Sequence, residues 1–334
     1  MNRDRDRNRQ DDPKPQPGDL ERLYLTPEME HQLAGLRFPI PVTVEGRLAG
    51  VHASPQPGAS VEFAEHKEYE PGDDLRHINW KAYARTDEFH IRQFTRDTHA
   101  EVYLVLDESG SMDYRSQHAP ESKLSFASRL ATALAYVFLR QNDSVGLLTL
   151  SGRGLTNIVP ARSHPSQLIN IQAVLSDLFE QHRTRESRVE GASEIELEQG
   201  LNFLSSRHLR HSAVIVISDL FMDETMLFRF LSNLRVLSNY CWLIHVLDPA
   251  EWDLEKSPAS RTFPFDGTIL FRSPETGAGL LMDARVGRGA YVTRFSSWLD
   301  GLQAKCGELR VKYGTCNTDY EPLHVILQMI ADKK

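Results

Sequence analysis

Two short runs constrain this chain most. EVYLVL and SAVIVI each lack a charged side chain past the first residue, and each runs into an acid: Asp107 directly, Asp219 after Ser218. A strand apolar on both faces belongs inside a sheet covered on both sides, the habit of parallel sheets in α/β proteins. Helical patterns alternate with such strands from Glu101 onward: SKLSFASRLATALAYVFLRQ, then SVGLLTL; a helix from Ser166 to Phe179; IELEQGLNFLSS, then SAVIVI; ETMLFRFLSNLRVLS, then YCWLIHVL. The expected fold is α/β, a doubly wound, mostly parallel sheet with helices on both faces. Gly152-Arg153-Gly154 turns SVGLLTL back on LTNIVP as an antiparallel hairpin. Past Asp248 come short strands at TILF and GLLMD, a helix from about Ala290 to Lys305, the strand ELRVKYG and the helix EPLHVILQMI, all able to extend the same sheet.

Upstream the texture differs. Residues 1–22 alternate acids and bases with no apolar core, as in a disordered tail rather than a secretory signal. Residues 23–100 begin with a short helix, with Thr26 as N-cap, Pro27 in the first turn and Gly35 as stop, and continue as a small β-rich N-terminal arm punctuated by Pro, Gly and Asp. Residues 101–334 form the α/β domain. A net charge of -8 spread over both signs argues against a nucleic-acid binder driven by phosphate attraction. Cys241, Cys306 and Cys316 stand far apart, suggesting neither a disulfide framework nor a zinc site. No apolar stretch nears the ~18–20 residues of a membrane span, and the expected location is cytoplasmic.

Ligands of open α/β sheets bind beyond the carboxyl ends of the strands, where strand order reverses. If EVYLVL and SAVIVI are neighbours, Asp107 and Asp219 face one crevice with the hydroxyls of Ser109 and Ser111. Two close carboxylates repel unless a positive charge lies between them. Hard oxygen donors with doubled negative charge suit Mg²⁺, or another divalent cation such as Mn²⁺. The alternative is a structural one, in which Asp107, Ser109 and Ser111 make a turn and helix-capping cluster.

The arrangement resembles the von Willebrand factor A fold and its metal-ion-dependent adhesion site, whose first element is Asp-x-Ser-x-Ser after the first strand. The resemblance implies Asp107, Ser109 and Ser111 as the first metal-binding element and Asp219 as a carboxylate acting through water. Ser193, in EGASEIELEQGL, stands where that family usually has a threonine.

The segment Glu62 to Phe94 is similar to the signature of a bacterial family named domain of unknown function 58, matching at Tyr69, Gly72, Asp73, Arg76, Ile78, Trp80, Lys81, Ala84, Arg85 and Thr86, with Asn79 replacing the usual Asp. DPAEW and the Glu275–Gly277 triplet match as well. Read physically, Arg76, Lys81 and Arg85 can pair with Asp73, Asp74 or acids at the sheet edge, and Trp80 with Tyr69 can clamp the arm; the alternative is direct contact with a partner. The resemblance implies work beside a MoxR-type AAA+ ATPase.

Motifs for enzymes are missing. Ser109 stands where a phosphoryl-accepting haloacid-dehalogenase pattern has its second Asp; no Gly-x-Ser-x-Gly elbow and no phosphate loop occurs; His208 and His211 lack a neighbouring Glu. The expectation is a non-catalytic, Mg²⁺-dependent adaptor that binds an acidic group of a protein partner in the maturation or remodelling of a complex. The rivals are a metal-dependent phosphoester hydrolase at the same residues and a scaffold whose metal site stays empty.

Overall fold

Side chains of successive strand residues point to opposite faces, so a strand without polar positions needs a core on each side. That is how β3 (Glu101–Asp107) is used: Val102, Leu104 and Leu106 enter one apolar cluster, Tyr103 and Val105 another. The computed structural model describes residues 25–38, 40, 61–68, 80, 83, 89–96, 100–151, 154–184, 194–206, 212–238, 240–252, 268–272 and 279–331.

Among the described residues five further strands join β3: β4 (Ser144–Ser151), β5 (Gly154–Arg162), β6 (Ser212–Ser218), β7 (Tyr240–Leu247) and β10 (Lys312–Asn317). Their order is β10-β7-β6-β3-β4-β5, with only β5 antiparallel to its neighbour. One face is covered by α2 (Lys123–Arg140), α3 (Gln167–Thr184) and α8 (Pro322–Ala331), the other by α4 (Glu194–Ser205), α5 (Glu224–Leu237) and α7 (Ala284–Glu308). The doubly wound α/β fold expected from the alternation is therefore present, with α2, apolar almost all round, buried along its length. Its start is set by Ser122, whose hydroxyl accepts from Ser125 N–H at 3.2 Å. Among the described residues no helix is long and apolar enough to cross a membrane.

Gly146 of β4 lies opposite Tyr103. A Cβ there would sit 2.5 Å from the ring and 2.9 Å from the Val159 carbonyl, so the strand passes the tyrosine only because the side chain is absent.

Three expectations need revision. TILF and GLLMD do not extend the main sheet: β8 (Thr268–Arg272) and β9 (Gly279–Asp283) pair only with each other in the described residues. The helix near Ala290 begins at Ala284 and runs to Glu308, taking the start of ELRVKYG with it. Arg310 then adopts a left-handed φ of 55°, and the Arg310 and Val311 amides close on Gly307 and Cys306 at 3.0 and 2.9 Å, a C-terminal cap that delays β10 to Lys312. Finally, α1 (Pro27–Ala34), grouped with the arm from sequence, packs in the α/β unit: Leu33 is buried, and Phe38 just after it meets Phe138 edge-on at 5.1 Å.

Residues Val44–His99 form a unit of their own. Its described part includes an antiparallel pair, β1 (Val61–Glu68) and β2 (His90–Arg96), with a register shift between Phe63 and Glu65.

Candidate metal centre

The chain passes from β3 to β4 and β5 on one side, then returns to β6 and β7 on the other. The reversal lies between β3 and β6, paired in register up to Leu106 and Ile217, so Asp107 and Ser218 emerge side by side at the crevice.

Each side chain is fixed by the turn that carries it. Asp107 Oδ1 accepts from Ser109 N–H at 2.9 Å and Oδ2 from the Ser218 hydroxyl at 2.6 Å. A short 3₁₀ turn, Gly110–Asp113, brings Ser111 back so that its Oγ lies 3.1 Å from Ser109 Oγ. Ser111 Oγ also donates to Asp219 Oδ1 at 3.1 Å, which accepts from Phe221 N–H at 3.2 Å. Asp107, Ser109, Ser111 and Asp219 are thus brought together, and all four are buried. The loop after β6 owes its shape to Leu220, which holds a left-handed φ of 58° with its side chain in the apolar core, while Phe221 beside it is 58% exposed.

Ser193 lies outside the described residues, as do Asp73, Asp74, Arg76, Lys81 and Arg85. Trp80 is described; it is 63% exposed and meets Tyr83 edge-on at 6.3 Å within its own unit.

Several residues at the centre escaped the sequence reading. Lys123, at the head of α2, places its ammonium 2.7 Å from Asp219 Oδ2 and 3.2 Å from Glu251 Oε1, with the lysine side chain only 4% exposed. Glu251 belongs to the short helix α6 (Pro249–Trp252), where its Oε2 accepts from Asp248 N–H at 2.9 Å. Asp248 in turn accepts from Ser116 and Ala250 amides at 2.9 and 2.8 Å, tying that turn to the loop beyond Ser111. On the other side His245 Nε2 lies 3.1 Å from the Asp219 carbonyl and Nδ1 2.9 Å from Tyr313 Oη. A carbonyl only accepts, so Nε2 carries the hydrogen and the tyrosine hydroxyl donates to Nδ1. The available signals were Ser122-Lys123, which breaks the preference for anions in a first helical turn, and DPAEW, whose glutamate reads as an ordinary surface acid.

The electrostatics follow from burial. Desolvation first, and then the Asp219 charge, push the Asp107 carboxyl up to about 6, against the pull of the Ser218 and Ser109 hydrogen bonds. Burial also pushes Asp219 upward, but the Lys123 charge and hydrogen bond, with help from Ser111, hold it below the usual carboxylate range. Lys123 resists its own desolvation through Asp219 and Glu251 and stays above the ordinary lysine value. Burial drives His245 down to about 3.

The donor set fits a small hard dication: hydroxyl and carboxylate oxygens only, with one buried acid, Asp107, that meets no cationic side chain among the described residues. Among the described residues no group of three or more His, Cys, Asp or Glu gathers as a metal cage, so serine hydroxyls and water would complete the coordination.

Uncharacterized proteins of Mycobacterium tuberculosis and Mycobacterium bovis are 32% identical over 137 residues, 41% of this chain and 42% of each relative, so the match spans less than half of their length. Two solved structures are similar at low scores. An aerotolerance-related membrane protein from Bacteroides fragilis gives a TM-score of 0.42 at 18% identity, covering 70% of this chain and 98% of its own. The conserved hypothetical protein BatB from Bacteroides thetaiotaomicron gives 0.38 at 16% identity, covering 70% and 97%. At such scores the fold rests on strand order and register alone. The profile described as "Protein of unknown function DUF58" matches residues 65–296, more than half of the chain, and the protein belongs to that family.

Proposed function

We propose that this protein is a non-catalytic adaptor that holds Mg²⁺, or Mn²⁺, through Asp107, Ser109, Ser111 and Asp219, with Ser193 as the donor from the third loop. A bound cation would supply an open coordination position that a partner's Asp or Glu can fill. The observation that carries the reading is the gathering of two buried carboxylates and two hydroxyls at the point where strand order reverses. The chain's own residues orient this set: Ser109 N–H and Ser218 aim Asp107, while Ser111 and Phe221 N–H aim Asp219. Similarity to the family suggests a MoxR-type AAA+ ATPase as the partner and maturation or remodelling of protein complexes as the task. Phosphoester hydrolysis at the same residues is less well supported. The imidazole beside Asp219 has both nitrogens engaged and is held near pKa 3, unsuited to a general base at neutral pH.

Calorimetric titration of Mg²⁺ and Mn²⁺ into the wild type and Asp107→Asn tests the centre: binding by the wild type that is lost in the variant is expected, and binding that is equal in the two rejects it. Capture of a purified MoxR-type ATPase, with and without chelator, tests the partner. Capture that survives both chelator and Asp107→Asn would reject the cation-bridged mode.

A further inference from the structure

A lysine in the first turn of an 18-residue helix sits at the positive end of the helix dipole, where anions are favoured. Lys123 is also buried, and an ammonium taken from water needs close anionic partners. Among the described residues it has two, and both belong to the candidate centre or its rim: Asp219 at 2.7 Å and Glu251 at 3.2 and 3.4 Å. The two oxygens of Asp219 are therefore divided. Oδ1 faces Ser111 and Phe221 N–H, while Oδ2 is occupied by the ammonium.

We propose that Lys123 is a built-in competitor of the divalent cation: by holding Asp219 Oδ2 it sets how tightly the centre takes a dication, and Glu251 positions the ammonium by drawing it away from Asp219. This rests on the reading of Asp219 as part of a metal centre. A dication approaching Asp219 meets a fixed positive charge one carboxylate away, so the centre binds weakly and reversibly unless that charge yields. Glu251 is the seat to which it can yield, since both glutamate oxygens are already within reach. Because Glu251 also accepts from Asp248 N–H, a shift of the ammonium would be felt in the α6 turn.

The test is a calorimetric titration of Mg²⁺ and Mn²⁺ into the full chain and five variants, one of them double. Lys123→Met and Lys123→Gln should bind about tenfold more tightly, the repulsion expected between a dication and a nearby ammonium under water-like screening. Lys123→Gln can still hydrogen-bond both acids and serves if the methionine variant fails to fold; Lys123→Arg, which keeps the charge, should stay near the wild type. Glu251→Gln should loosen binding in the wild-type background and do so much less in Lys123→Met, because it acts through the lysine. A purely structural role for Lys123 would weaken binding in every variant. Binding that is unchanged or weaker in folded Lys123→Gln overturns the inference alone, as does an equal Glu251→Gln effect in both backgrounds. Absence of binding in the wild type and in all variants overturns the metal reading with it.

Discussion

Asp107→Asn should stabilise the cation-free protein at neutral pH. Burial and the Asp219 charge raise the Asp107 carboxyl from 3.8 to about 6, roughly two units. At about 1.4 kcal/mol per unit this is about 3 kcal/mol. The folded chain holds this proton more tightly than the unfolded chain, so on raising the pH the unfolded chain releases it first. Stability is then lost as pH climbs from about 4 to about 6 and stays lost above. Asp219 is shifted the other way and titrates below this window. An asparagine cannot ionise, yet its carbonyl can still accept from Ser109 N–H. Urea unfolding of both proteins in EDTA, at several pH values from about 4 to 7, isolates the effect, because every other titrating group is common to the pair. The variant's advantage should grow by about 3 kcal/mol across that range. A difference that stays constant with pH would rule out a raised Asp107 carboxyl. If the centre holds Mg²⁺, saturating Mg²⁺ should close the gap at neutral pH by stabilising the wild type alone.

Three further outcomes are expected. Gly146→Ala places a methyl 2.5 Å from the Tyr103 ring and should cost about 1–3 kcal/mol in urea unfolding, with a smaller cost in a Tyr103→Leu background. Arg129→Met takes the guanidinium away from the fully buried Glu121 carboxylate, which keeps the Ser125 hydroxyl, and should cost about 1–3 kcal/mol, partly restored by Glu121→Gln; a loss below about 0.5 kcal/mol would show the pair to be dispensable. The His245 ring, held near 3, should remain neutral with its hydrogen on Nε2 from about pH 5 to 8 in nitrogen-detected NMR, and an imidazolium signal in that range would contradict the burial argument.

What the sequence made legible was periodic or punctuated. The uninterrupted runs before Asp107 and Asp219 identified central strands, and an acid at the end of each identified the crevice, because both signals are local. The sheet neighbourhood that joins them was conditional at that level and is met by β3 and β6. Lys123 was illegible for the opposite reason. A lysine after a capping serine looks solvated, and only the packing of α2 against β3, with α6 nearby, makes it a buried counter-ion. His245 was hidden within YCWLIHVL, where nothing local distinguishes a core histidine from one that holds a neighbouring carbonyl. TILF and GLLMD carried a correct strand signal without saying which partner each strand takes, and local pairing won over the larger sheet. The early start of α7 was obscured by Gly287 and Gly289, which weaken a helical reading without forbidding the helix.

The left-handed Leu220 has a bearing on how the centre meets a ligand. A leucine in that conformation is costly on its own and persists only where the surroundings over-determine it. Here its side chain is pinned in the core and its amide is caught by Ser218 Oγ at 2.9 Å. The neighbouring carboxylate and the exposed Phe221 are thereby set before anything arrives. Little conformational entropy remains to be surrendered by this loop, so discrimination by the proposed metal centre would fall to charge and fit rather than to the ordering of a flexible segment. Glycine at 220 would relax the backbone and release the anchor together, converting a rigid template into a floppy one without touching a single donor atom.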